Sequence, residues 1–234
     1  MEFQLKLDEY HYMIIFLLVS TAVAMYQAGQ FYPQVIVIPV IAAVADFAVN
    51  YYKNKRKDIP FSAIISGLII ASIMPQLSLP VQVIAALLAV VQKHVIRWKG
   101  SHIFNPAAFS VLITSLLFST APSWWIAVSP VVLVFLLTAN MVRRLPIAVS
   151  FYAFHVLLSG ASIAAMLDYT AIFFALVMAV EPKTTPLSQK GMVVFGAWIA
   201  VLSAVVHYTG LSIDPFIIAL LVMNIFRRYL NTIK

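Results

Sequence analysis

Cysteine is absent from the 234 residues. That excludes disulfides, a thiolate nucleophile, and any zinc or iron–sulfur centre ligated by Cys of this chain. Charge is scarce as well. Only 10% of residues are Asp, Glu, Lys or Arg, against about 25% in an ordinary soluble domain. No metal-ligating cluster, phosphate loop or hydrolase triad stands out, so no self-contained catalytic site is visible. The first ten residues are polar and mixed in charge, and no small-residue cleavage site follows the first apolar run, so a cleavable signal peptide is not expected.

What is there is apolar. Hydrophobic residues make up 63% of the chain and mean hydropathy is +0.98. The apolar runs are continuous rather than alternating, which predicts membrane-spanning helices and not a β-barrel. Ten spans are expected: Tyr12–Ala28, Pro33–Val49, Phe61–Met74, Pro80–Ile96, Ala107–Thr120, Trp124–Met141, Pro146–Leu167, Ala171–Val180, Gly191–Tyr208 and Phe216–Phe226. Several fall short of the ~20 residues that a full crossing needs.

Ten spans place all 15 Lys and Arg residues in the segments 1–11, 50–60, 93–102, 142–145, 181–190 and 227–234. The alternate loops carry none; they hold Asp168, Asp214, Trp124 and Trp125. The positive-inside rule then puts both termini in the cytoplasm of a multi-pass cell-membrane protein. The net charge of +7 belongs to that inner face, facing anionic lipid or an acidic partner, rather than to a nucleic-acid surface. Trp124-Trp125 reads as an aromatic-belt anchor, and Asp46 as a partner for Lys53 or Arg56.

The spans divide into two fives within one membrane domain, 1–234, with repeats over approximately 12–120 and 124–230. In each half a short span ends at X-Pro (Met74-Pro75; Glu181-Pro182), a second Pro follows (Pro80; Pro186), and a long span leads to an Asx-Pro helix start (Asn105-Pro106; Asp214-Pro215). Pro75 to Pro106 is 31 residues and Pro182 to Pro215 is 33. The third span runs outward and the eighth inward, so the repeats are inverted. Paired, Pro-broken short spans in inverted repeats point to a site between the halves.

Asn105 and Asp214 suit the N-cap position, with Pro in the first turn. Each start turns unpaired N–H groups and a positive dipole end toward a possible ligand. Glu181 closes an apolar run, where a charge needs a partner or a function, and Thr184, Thr185 and Ser188 add hydroxyls beside it. His155 is an ionisable residue inside the seventh span.

The segments HIFNPAAF, EPKTTPLSQKGMVVFGA, SGLIIASIMPQLSLP and LLVMNIF resemble the RnfD/NqrB family of membrane subunits over about residues 61–230. The likeness is greatest to compact RnfD-like membrane domains found joined to a ferredoxin-reductase-type module. The resemblance implies an all-α fold of ten transmembrane helices in two inverted five-helix repeats with broken half-helices, similar to urea transporters. It implies an electron-transport subunit of a membrane oxidoreductase. Its partners would be a soluble flavin/iron–sulfur reductase, other Rnf/Nqr-like subunits and a quinone. The family's N-x-x-N-P motif, which contacts non-covalent riboflavin, is here His102-Ile103-Phe104-Asn105-Pro106, with His102 in place of the first Asn. Its D-P-x-T/S-x-P turn is here Glu181-Pro182-Lys183-Thr184-Thr185-Pro186. The candidate flavin-binding residues are therefore His102, Phe104, Asn105, Glu181, Lys183, Thr184, Thr185, Asp214 and His155. Larger members carry FMN bonded to Thr in S-G-A-T, preceded by Asp. This chain has Ser159-Gly160-Ala161-Ser162, with Val156 where that Asp would stand, so the expected flavin is non-covalent riboflavin or FMN, and the segment reads as helix packing. Two other classes stay open: a channel for a small neutral or anionic solute, and a non-redox membrane anchor for redox partners.

Overall fold

The computed structural model describes residues 7–55 and 57–233. Lys6, Arg56 and Lys234, three of the cations behind the sidedness argument, lie outside the described residues. Each expected span has its helix. The first half comprises α1 (Glu9–Ala28), α2 (Gln34–Asn54), α3 (Phe61–Ile73), α4 (Leu79–Val95) and α5 (Pro106–Phe118). A two-residue β-hairpin, β1 (Arg97–Trp98) and β2 (Ser101–His102), joins α4 to α5. The second half comprises a 3-10 turn Pro130–Val134 running into α6 (Phe135–Met141), then α7 (Leu145–Leu158), a single turn α8 (Ile163–Met166), α9 (Tyr169–Phe173) continued by a π-helical turn Phe174–Met178, α10 (Gln189–Tyr208) and α11 (Pro215–Leu230). A chain this apolar must satisfy its backbone internally, and the helix does so within one segment. Glu9–Ala28, Gln34–Lys53 and Gln189–Tyr208 are long and apolar enough to cross a membrane; the remaining apolar helices are shorter.

The packing repeats. In the first half α1 packs on α3, α2 on α4, and α4 on α5. In the second α6 packs on the π turn, α7 on α10, and α10 on α11. The halves meet where α5 packs on α11 and α1 on α6. Two close crossings depend on glycine. A Cβ on Gly67 of α3 would sit 2.6 Å from Pro39 Cα of α2, and one on Gly196 of α10 would sit 2.3 Å from the Ile147 oxygen of α7. In a membrane, helices associate by this kind of small-residue approach.

The segments rich in Lys and Arg gather on one face, the basic end. There the 93–102 hairpin, the 142–145 turn, the 181–188 loop and the end of α11 share hydrogen bonds and cavity walls. The loops at the opposite, acidic end also touch one another, through Tyr32 on Trp125 and Trp124 on Asp214. Three local expectations change. Ser159-Gly160-Ala161-Ser162 is not a helix-packing stretch. Gly160 and Ala161 take positive φ (76° and 50°), ending α7 in an exposed turn, and Ser162 caps α8. Trp124 is 7% exposed and packs inward against Phe173, Phe174 and Phe216, so only Trp125 keeps a peripheral place. Asp46, 1% exposed, takes Lys93 Nζ at 2.9 Å and His94 Nε2 at 2.7 Å from α4 across the α2–α4 contact. Lys53 lies two helical turns further along α2, beyond reach.

Candidate functional site at the basic end

Asn105 caps α5 and ties four segments together. Its Oδ1 accepts from Ala108 N at 3.0 Å, the bond expected of an N-cap. Its Nδ2 donates to Met178 O (3.1 Å), a carbonyl at the end of the π turn. Its backbone N–H donates to Asn224 Oδ1 (2.9 Å) on α11, and Asn224 Nδ2 donates to Thr184 O (3.2 Å). Both Asn side chains are buried. A π turn leaves carbonyls out of register with following amides, and such turns cluster at functional sites; here a side-chain amide supplies a missing donor.

Glu181 follows that turn. One carboxylate oxygen is 3.0 Å from His102 Nε2 and the other accepts from Thr184 Oγ1 (3.0 Å). Thr185 Oγ1 donates to Glu181 O and accepts from Arg144 Nε. Arg227 donates to the carbonyls of Thr185 and Lys183 and to Ser101 Oγ. Burial and the nearby Arg227 guanidinium lower the Arg144 pKa, which still leaves a cation at neutral pH. The buried hydroxyls of Thr184 and Thr185 both have partners, as buried polar groups must.

A cavity of about 390 Å³ opens beside this network, within the range of small-molecule sites. Its polar lining includes Asn105, Glu181, Lys183, Arg144 and Arg227; its apolar lining includes Met13, Ile65, Ile69 and Val177. Asn105 retains one N–H and one oxygen lone pair for a ligand. The other sequence-predicted residues take different places. His102 stands behind Glu181 and faces the adjoining cavity. Thr184 and Thr185, both buried, hold the loop. Phe104 stacks on Phe109 (5.6 Å) and lines a groove beneath the hairpin.

Asp214 and His155 belong to a second cavity, of about 460 Å³, at the acidic end of α11. Asp214 Oδ1 accepts from Ile217 N (3.0 Å) and Oδ2 from Trp124 Nε1 (2.7 Å). Trp124 has φ 51°, rare for a bulky residue. His155 Nε2 is 3.3 Å from Asp168 Oδ2. Burial pushes the Asp214 carboxyl above its usual range, against hydrogen bonds from Ile217, Trp124 and Phe216. Asp168 is also partly buried, but hydrogen bonds from His155, Ala171 and Thr170 hold it below that range. The nine candidates therefore divide between two ends of the molecule. Asn224, Arg144, Asp168 and Trp124 join them without having been singled out as ligands by sequence. Asn224 had a signal, an amide inside an apolar span.

Among the described residues no group of three or more His, Asp or Glu side chains could hold a metal ion. The sequence model of the NQR2, RnfD, RnfE family matches residues 7–129 and again residues 111–234. The chain belongs to that family. It is an integral membrane protein and an Rnf/Nqr-type membrane subunit of electron transport, built as an inverted repeat. No curated protein matches it.

Proposed function

We propose that the basic-end cavity holds a flavin, riboflavin or FMN, without a covalent bond. The chain then relays electrons from a soluble flavin/iron–sulfur reductase to a partner subunit or a quinone in the bilayer. The observation that carries this reading is the cavity itself, lined by both apolar and polar residues, with Asn105 and Glu181 fixed among them. When bound, the flavin supplies the one- and two-electron redox chemistry. The chain's residues bind and tune. Asn105 offers a donor and an acceptor at the helix start, where the positive dipole end favours negative charge. Arg144 and Lys183 place positive charge at the same wall, which favours the more electron-rich state of any bound redox group. The rigid loop, held through His102, Thr184 and Thr185, keeps these groups in place.

The basic end is assigned to the cytoplasm, with ten crossings and both termini inside, because the Lys and Arg segments converge there. A reporter fused after Lys234 is expected to be active only in the cytoplasm; activity only outside overturns the assignment. For the flavin, the test is an absorption spectrum of protein purified in mild detergent, taken before and after acid precipitation. A flavin band at ~450 nm that passes to the supernatant is expected. A colourless, folded protein, or a band that stays with the pellet, overturns the reading.

A further inference from the structure

We infer that the ligand of the basic-end cavity carries a phosphate, and that the phosphate sits in a second, adjoining cavity walled by Lys93, His94, Arg97 and Lys183. The inference rests on the flavin reading above and decides between its two forms in favour of FMN.

The adjoining cavity measures about 500 Å³. It shares Tyr10, Ser62, Ser101 and Lys183 with the first. Three of those four residues carry hydroxyls. The two spaces thus adjoin at those hydroxyls: Met13, Ile65 and Val177 line the first beside its polar residues, and Lys93 and Arg97 line only the second. A flat aromatic ring system suits the apolar residues of the first, a polyol chain the shared hydroxyls, and a phosphate monoester the Lys and Arg side chains of the second.

Charge supports the assignment of the far end. Lys93 and His94 side chains are 14% and 7% exposed, so they are poorly screened by solvent. Asp46 is the acid beside them: it accepts from Lys93 Nζ and lies 2.7 Å from His94 Nε2. Asp58 also lines the cavity and, like Arg97 and Lys183, is exposed. No described carboxylate forms an ion pair with Arg97 or Lys183; the Arg97 guanidinium donates to the Gly100 carbonyl. An Arg fork and a Lys ammonium suit a phosphate, which accepts charge-assisted hydrogen bonds from both. The acidic-end cavity offers the opposite. Asp168 and Asp214 line it, with neither Lys nor Arg, so a phosphate is repelled there.

The test uses protein stripped of flavin, reconstituted in phosphatidylcholine nanodiscs, and titrated with riboflavin and with FMN by quenching of flavin fluorescence. FMN is expected to bind about tenfold tighter than riboflavin at low salt, the size of one charge-assisted contact. Arg97→Gln, which touches only the adjoining cavity, should weaken FMN and leave riboflavin unchanged. Lys183→Gln should weaken FMN more than riboflavin. Equal affinities in the unaltered protein, or a preference that survives both substitutions, overturn the phosphate subsite and leave the flavin reading standing. Loss of the preference when phosphatidylglycerol is added assigns the subsite to a lipid headgroup and also overturns it. Binding of neither flavin by folded protein overturns the flavin reading, and the subsite with it.

Discussion

The two Asx-Pro helix starts are one backbone device with two side chains. Asn105 has φ −59° and ψ 122°; Asp214 has φ −60° and ψ 119°. Both accept from the third residue of their helix at 3.0 Å. They differ in what the remaining polar atom meets. Beside Asn105 lies an unpaired carbonyl, Met178 O, at the end of the broken helix, and an amide can donate to it. Beside Asp214 lies a donor, Trp124 Nε1, and a carboxylate can accept from it. The carbonyls that end α3 in the first half are satisfied otherwise. Ser123 N donates to Ile73 O, Ile126 N to Ser72 O, and Gln82 Nε2 to Met74 O. With those carbonyls already paired, nothing requires an amide at position 214. The choice of Asn or Asp thus follows from which half-helix end lacks its own donors.

Exchanging the two side chains tests this account, and Asn105→Asp should have the larger effect. Aspartate keeps the cap but cannot donate to Met178 O. It sets a 4%-exposed carboxylate against a carbonyl oxygen. An unsatisfied buried acceptor costs ~1–3 kcal/mol and a buried charge adds to that, so a loss of about 3 kcal/mol is expected. Thermal unfolding in detergent should show a drop of several degrees, with loss of whatever absorbance the basic-end cavity holds. A variant as stable as the parent would show that the Asn105–Met178 bond does not matter to the fold.

The helical layout was legible because prolines and apolar runs are local signals. Pro75, Pro182, Pro106 and Pro215 mark the broken ends and the starts, and the helices begin and end beside them. Contacts across the fold left weaker traces. His102 and Glu181 are 79 residues apart, and no periodicity pairs them; Glu181 stands out as a charge closing an apolar run, while the family motif marks His102. Trp124 was misread because Trp beside Trp in a loop gives no sign of which ring turns inward. The Asp46 partner was misplaced because proximity along the chain is a poor guide once two helices pack side by side. His155 and Asp168 meet because α7 stops at the Gly160-Ala161 turn. Treating Pro146–Leu167 as one unbroken span concealed that return of the chain.

Asp214→Asn is the milder exchange and has a pH signature. Asparagine caps as well as aspartate. With its one oxygen on Ile217 N, however, it turns an NH2 toward Trp124 Nε1–H and loses that bond, a cost of ~1–2 kcal/mol. Against this, the substitution removes the burial penalty on an ionised carboxylate. The folded pKa of Asp214 is raised. Its contribution is therefore fully present below the unfolded value and is lost as pH rises through the folded one. The deficit of the variant should be largest in acid, where the parent carboxyl is protonated, and should shrink toward ~1 kcal/mol or less at neutral pH. Paired melting curves from about pH 4 to about pH 8 read this directly. A deficit that grows with pH would mean that the Trp124 bond stabilises the anion by more than burial costs it. The acidic-end start would then be held by charge, and not by shape alone.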